Sequence, residues 1–205
     1  MSAILQNGTS RTRAARGWRR LASPDRGLDG LNLFVANIQT GFGPFIAVYL
    51  TTQGWTLTAI GFALSLGTIA AMASQLPAGA LVDAPRSKRA VAACSILVFA
   101  VSAMLFVVRP IPLFIYLAEI LHGFSSCTLG PAITAMSLAL AGQAALGRRL
   151  GRNARYASIG NGIGAALMGL CGTYISERSV FVLTAIFALP ALIALGPLSG
   201  VGDAP

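Results

Sequence analysis

Apolar residues fill most of this chain in runs of about 20, separated by short polar gaps. A run of that length, rising 1.5 Å per residue as a helix, spans about 30 Å, the thickness of a bilayer's hydrocarbon core. Six such runs are read: Leu31 to Thr51, Thr56 to Val82, Ala90 to Val108, Leu113 to Ala141, Tyr156 to Ile175 and Val180 to Leu198. The pattern predicts an all-α integral membrane protein with six transmembrane helices over residues 31–198. Residues 1–30 are read as a basic, disordered cytoplasmic arm, and 199–205 as a short cytoplasmic tail. The runs differ in polarity. The first holds Asn32, Asn37, Gln39 and Thr40 before Gly41, Gly43 and Pro44, so it should bend there and turn its polar groups away from lipid. The third is the most uniformly apolar and is read as lipid-facing. The fifth is rich in glycine, which suits close helix packing.

Charge orients the runs. Thirteen of the fifteen Lys and Arg residues fall in the N-terminal arm and in the second and fourth gaps; only Arg109 and Arg178 fall in the others. The positive-inside rule makes the rich side cytoplasmic, with both termini there, in the plasma (inner) membrane. Hydrophobic residues are 55% of the chain and charged residues 10%, which fits this class. The net charge of +9 would suggest nucleic acid for a soluble protein. Here the topology accounts for it, and the expected partner is the lipid bilayer, with no nucleic acid. Cys94, Cys127 and Cys171 lie within runs and lack CxxC spacing, so no metal site, disulfide framework or cofactor is predicted.

Glu119 and His122 are the ionisable side chains set well inside an apolar run. Three residues apart, they share a helix face. An intramembrane carboxylate is by default a proton or ion site, and a structural pairing with a neighbouring helix is the alternative. Asn37 and Thr40 have the same spacing on the first run and are candidates to line a solute cavity with the pair. Asn161 is a further candidate; interhelical hydrogen bonding is the alternative for each.

The gap after the second run reads Gly79-Ala80-Leu81-Val82-Asp83-Ala84-Pro85-Arg86-Ser87-Lys88-Arg89. It resembles the signature loop of the major facilitator superfamily of secondary transporters, Gly-x-Leu-x-Asp followed by a glycine and a basic cluster. Gly79, Leu81 and Asp83 match; Ala84, Arg86 and Ser87 depart from the usual residues. The resemblance implies a conformational latch made of Gly79, Leu81, Asp83, Arg86, Lys88 and Arg89. The stretch from Glu119 to Ser126 resembles the family's Arg-x-x-Gln-Gly pattern in the fourth helix, keeping Gly123 but carrying Glu119 and His122 for the arginine and glutamine. Gly160, Gly164 and Gly169 resemble part of a glycine motif of drug–proton antiporters, with Ala165 and Met168 as departures; their alternative reading is helix packing.

The resemblance implies a permease for a small solute, with two inverted three-helix repeats in these six helices and a second six-helix half beyond them. The chain is therefore expected to be an N-terminal half, truncated or in need of a partner half or a second copy. The alternative is a non-transporting membrane scaffold derived from such a half. No enzyme is expected: His122 is the single histidine and no Gly-x-Ser-x-Gly elbow occurs.

Overall fold

The computed structural model describes residues 23–83 and 88–201, with main chain only for 76–83. Among these residues there are helices and no strands. They are α1 (Pro24–Thr40), α2 (Pro44–Thr52), α3 (Leu57–Asp83), α4 (Lys88–Val108), α5 (Pro112–Tyr174) and α6 (Glu177–Ala194), with a 3₁₀ turn at Gly196–Leu198. Among the described residues five helical stretches are long and apolar enough to cross a membrane, with α1 and α2 forming one of them.

The sequence sets the helix ends locally. Proline stands at the start of α1, α2 and α5, where its missing N–H costs nothing. Thr56 Oγ1 accepts from the Ala59 N–H at the head of α3, and Ser176 Oγ accepts from Ser179 at the head of α6, both at 3.2 Å. The first run breaks at Gly41, Phe42 and Gly43, where its glycines and Pro44 predict a bend. Gly41 is needed there for space as well: a Cβ would run into Thr184 Oγ1 of α6.

The 63-residue α5 is interrupted at Gly142, whose φ of 70° and ψ of 169° are closed to other residues. Ser137 and Asn153 would stand about 24 Å apart on one straight helix. Instead the Asn153 amide donates to Ser137 Oγ at 2.8 Å. The chain folds back at Gly142, so 112–141 (α5a) and 143–174 (α5b) lie side by side.

Three expectations change. Residues 24–30, assigned to the disordered arm, are the first turns of α1, and Gly27, Leu28 and Asp29 are buried; Pro24 and Asp25 supply a helix start that the apolar count overlooks. The fifth run, expected to begin at Tyr156, is preceded by helix from residue 143, so the arginine-rich fourth gap belongs to α5b. The third run is only half lipid-facing: Phe99 and Phe106 of α4 are fully buried, Ser95 pairs with Thr128 at 2.7 Å, and Ser102 donates to the Ala118 carbonyl at 2.7 Å. Residues 1–22, Arg86 and the rest of 84–87, and the tail from 202 lie outside the described residues.

The core is aromatic where α2 and α4 end and α6 begins. Phe106 and Phe181 stack at 4.6 Å, Tyr49 lies edge-on to Phe181 at 5.1 Å, and the Tyr49 hydroxyl donates to the Phe106 carbonyl at 2.8 Å. One end of the bundle carries Lys88, Arg89, Arg148, Arg149, Arg152 and Arg155; the other carries Arg109 and Arg178.

Candidate functional site

Glu119 projects from α5a into the crossing with α3 and is 2% exposed. That crossing exists because two glycines meet there. A Cβ on Gly123 would fall on the Gly67 carbonyl oxygen, and a Cβ on Gly67 would fall on Glu119 Oε2. Cys127 secures the contact one turn on, its thiol donating to the Ala71 carbonyl at 2.8 Å. Glu119 Oε2 lies 3.7 Å from His122 Nδ1, beyond hydrogen-bonding reach. Glu119 Oε1 and His122 Nδ1 are buried without hydrogen-bond partners among the described residues, as is Ser125 Oγ on the same helix. The His122 ring is held by stacking on Phe42 at 4.4 Å and by an edge contact with Phe99 at 5.5 Å. An acid and a base thus sit less than 1 Å beyond hydrogen-bonding range, inside an apolar and aromatic wall.

The other cavity candidates gather elsewhere, between α1 and α5b. The Thr40 hydroxyl donates to the Ala36 carbonyl at 2.8 Å and to Asn161 Oδ1 at 3.2 Å. Asn37 is buried; its amide donates to the Leu33 carbonyl at 2.8 Å, while Oδ1 has no partner among the described residues. Gly160 and Gly164 allow this approach: a Cβ on Gly160 would meet the Leu33 carbonyl oxygen, and one on Gly164 would lie 2.8 Å from Asn37 Oδ1. Gly169 has nothing within 4 Å of such a Cβ, so the packing expectation does not extend to it; it lies off the face that carries Gly160 and Gly164. No hydrogen bond joins Asn37, Thr40 or Asn161 to the Glu119–His122 pair among the described residues; Phe42, two residues past Thr40, is the link to His122.

A cleft of about 240 Å³ opens between α1, α5a and α5b, with Asn32, Gln39, Thr134 and Asn153 among its lining residues. Toward the basic end it adjoins a buried ionic cluster that the charge count does not anticipate. Arg149, 4% exposed, donates to Asp29 at 2.6 Å, to Asp25 at 3.1 Å and to Asn153 Oδ1 at 2.8 and 2.9 Å. Arg152 also pairs with Asp29. The available signal was Asp25 and Asp29, two of the chain's six acidic residues, spaced four apart before the first run. Among the described residues no three His, Cys, Asp or Glu side chains gather as a metal site requires.

Of the latch loop, Gly79, Leu81 and Asp83 fall on the last turns of α3, where only the main chain is described, and Arg86 lies outside the described residues. Lys88 and Arg89 open α4.

A family model described as Major Facilitator Superfamily matches residues 30–202. The chain is 35% identical over 176 residues to uncharacterized MFS-type transporters from two strains of Mycobacterium tuberculosis, CDC 1551 / Oshkosh and ATCC 25618 / H37Rv. Each match covers 82% of this chain and 41% of the relative, so the chain spans about two fifths of the length of these relatives.

Proposed function

Because this chain belongs to the major facilitator superfamily, we propose that it acts as the N-terminal six-helix half of a secondary transporter that couples a small solute to a proton at Glu119 and His122. In this reading α1–α2, α3, α4, α5a, α5b and α6 are the six crossings, with the basic end cytoplasmic. The fold-back at Gly142, joined by the Ser137–Asn153 hydrogen bond, supports counting α5 as two crossings. The positive-inside pattern supports the orientation. The solute would occupy the cleft beside Asn32, Gln39 and Asn153, closed on its open side by a second half.

One observation carries the coupling. Glu119 is a carboxyl group buried in an apolar crossing, with one oxygen unpartnered and a histidine nitrogen 3.7 Å from the other. A proton carrier needs shelter from bulk water and an atom free to receive the proton. Glu119 takes a proton from one face and gives it up to the other as the cavity alternates, and His122 is the neighbour able to accept it. The latch loop between α3 and α4 would hold one of the two states.

The test uses proteoliposomes holding the chain with a complementary half and an imposed pH gradient. Candidate solutes are screened by the proton movement they cause, read with a trapped pH-sensitive dye. Glu119→Gln is expected to abolish uphill accumulation while downhill exchange of the solute continues, and His122→Ala to shift the pH optimum. Undiminished accumulation by Glu119→Gln would remove Glu119 from the coupling path.

A further inference from the structure

The outward faces of α4 and α6 carry two stripes of exposed apolar side chains: Leu97, Val101 and Met104 on one, Ile186, Leu189 and Ile193 on the other. In a bilayer such stripes are covered by acyl chains. Between them, where α4 begins and α6 ends, lies a groove of about 310 Å³. Ala93, Leu192 and Leu195 form its apolar wall, and Arg89 stands at its polar end. Arg89 is half-buried and has no hydrogen-bond or ion-pair partner among the described residues. It is the second residue of α4 as described, so its guanidinium stands where that helix meets the edge of its apolar span.

We propose that this groove binds one anionic phospholipid, with its phosphate on Arg89 and the upper part of one acyl chain along Ala93, Leu192 and Leu195. Two features select that occupant. The start of α4 is the polar edge of an apolar span, which is the depth of lipid headgroups. An apolar wall running from the cation into the span offers nothing to a soluble anion, and everything to a molecule with a charged head and a hydrocarbon tail. The groove's size, near the bottom of the range of about 300–1,000 Å³ for small-molecule sites, fits a headgroup and part of one chain, with the remainder left in the bilayer. The site lies on the α4–α6 face, away from Glu119 and from the α1–α5b cleft; Arg89 also belongs to the loop that resembles the family latch, so the site is tested by lipid binding and not by flux.

The full chain, purified in mild detergent, is titrated with dioleoyl-phosphatidylglycerol or dioleoyl-phosphatidylcholine, and bound lipids are counted by native mass spectrometry. One phosphatidylglycerol should be held more tightly than phosphatidylcholine. Arg89→Gln should weaken phosphatidylglycerol about fivefold and remove the headgroup preference. Ala93→Phe keeps the charge but fills the groove, and should lower occupancy by both lipids. Arg148→Gln removes the same charge from an exposed site at the same end and should leave binding unchanged. Equal weakening by Arg148→Gln and Arg89→Gln would reduce the effect to general surface charge and overturn the site. So would wild-type binding by both groove variants. If Ala93→Phe fails to fold, the comparison of Arg89→Gln with Arg148→Gln decides alone.

Discussion

Among the described residues Glu119, Arg149 and Asp29 are ionisable side chains almost wholly removed from solvent, and the surroundings of Glu119 and Arg149 differ in kind. Every face of the Arg149 fork meets an acceptor: Asp25, Asp29 or Asn153. Replacing it with Met leaves the buried Asp29 carboxylate with only the half-exposed Arg152, a loss of about 3–5 kcal/mol. Arg149→Met should therefore lower the melting temperature in detergent sharply. Arg149→Lys should recover only part of it, since an ammonium cannot reproduce the planar fork. The double change Arg149→Met with Asp29→Leu should be less damaging than Arg149→Met alone, because it removes both charges together. Glu119 is left under-satisfied instead, held against Gly67. Gly67→Ala would push Glu119 Oε2 out of its place, so in the proteoliposome assay it should impair proton-driven accumulation while insertion continues. Glu119 and His122 were legible as a pair from their spacing on an apolar run. Their separation and the aromatic stack on His122 were not, since Phe42 and Phe99 come from distant parts of the chain.

At the scale of elements, glycine marks the places where helices turn or touch. Gly142 is the reversal point of α5, in a backbone region that costs another residue about 1–3 kcal/mol. Gly142→Ala should destabilise the hairpin by that amount, read as a lower melting temperature. Gly160→Leu should be severe, because the side chain would meet the α1 main chain at Leu33. Gly162→Leu and Gly169→Leu should be mild, because both positions face open space. Thermal stability of the three variants side by side separates contact glycines from the others. The sequence lists these glycines without ranking them, since which face of α5b meets α1 depends on how the two helices dock. The bend in the first run was legible, because glycine and proline act on their own backbone. The helical character of the fourth gap was not: arginine is a good helix former, and a charge run looks alike in a loop and in a polar helix.

Across the whole molecule the prediction is topological. With the basic end inside, single cysteines placed at Gln53, Pro112 and Glu177 should react with an impermeant maleimide from outside, and cysteines at Ser87 and Gly151 only after the membrane is opened. Reversed accessibility at two of these sites would overturn the six-crossing reading. What the sequence determined by itself was the class and the apolar stretches of its helices, though not where the helices begin, because about 20 apolar residues in a row suit hydrocarbon whatever they pack against. It also determined the charge asymmetry, which is a property of the gaps alone. What only the tertiary structure decided was pairing. Asp29 reaches Arg149 across more than a hundred residues, Gly67 admits Glu119, and α4 and α6 leave a groove beside Arg89. Each depends on which helix faces come together, and an apolar run that is greasy on most sides carries only a weak record of its own rotation.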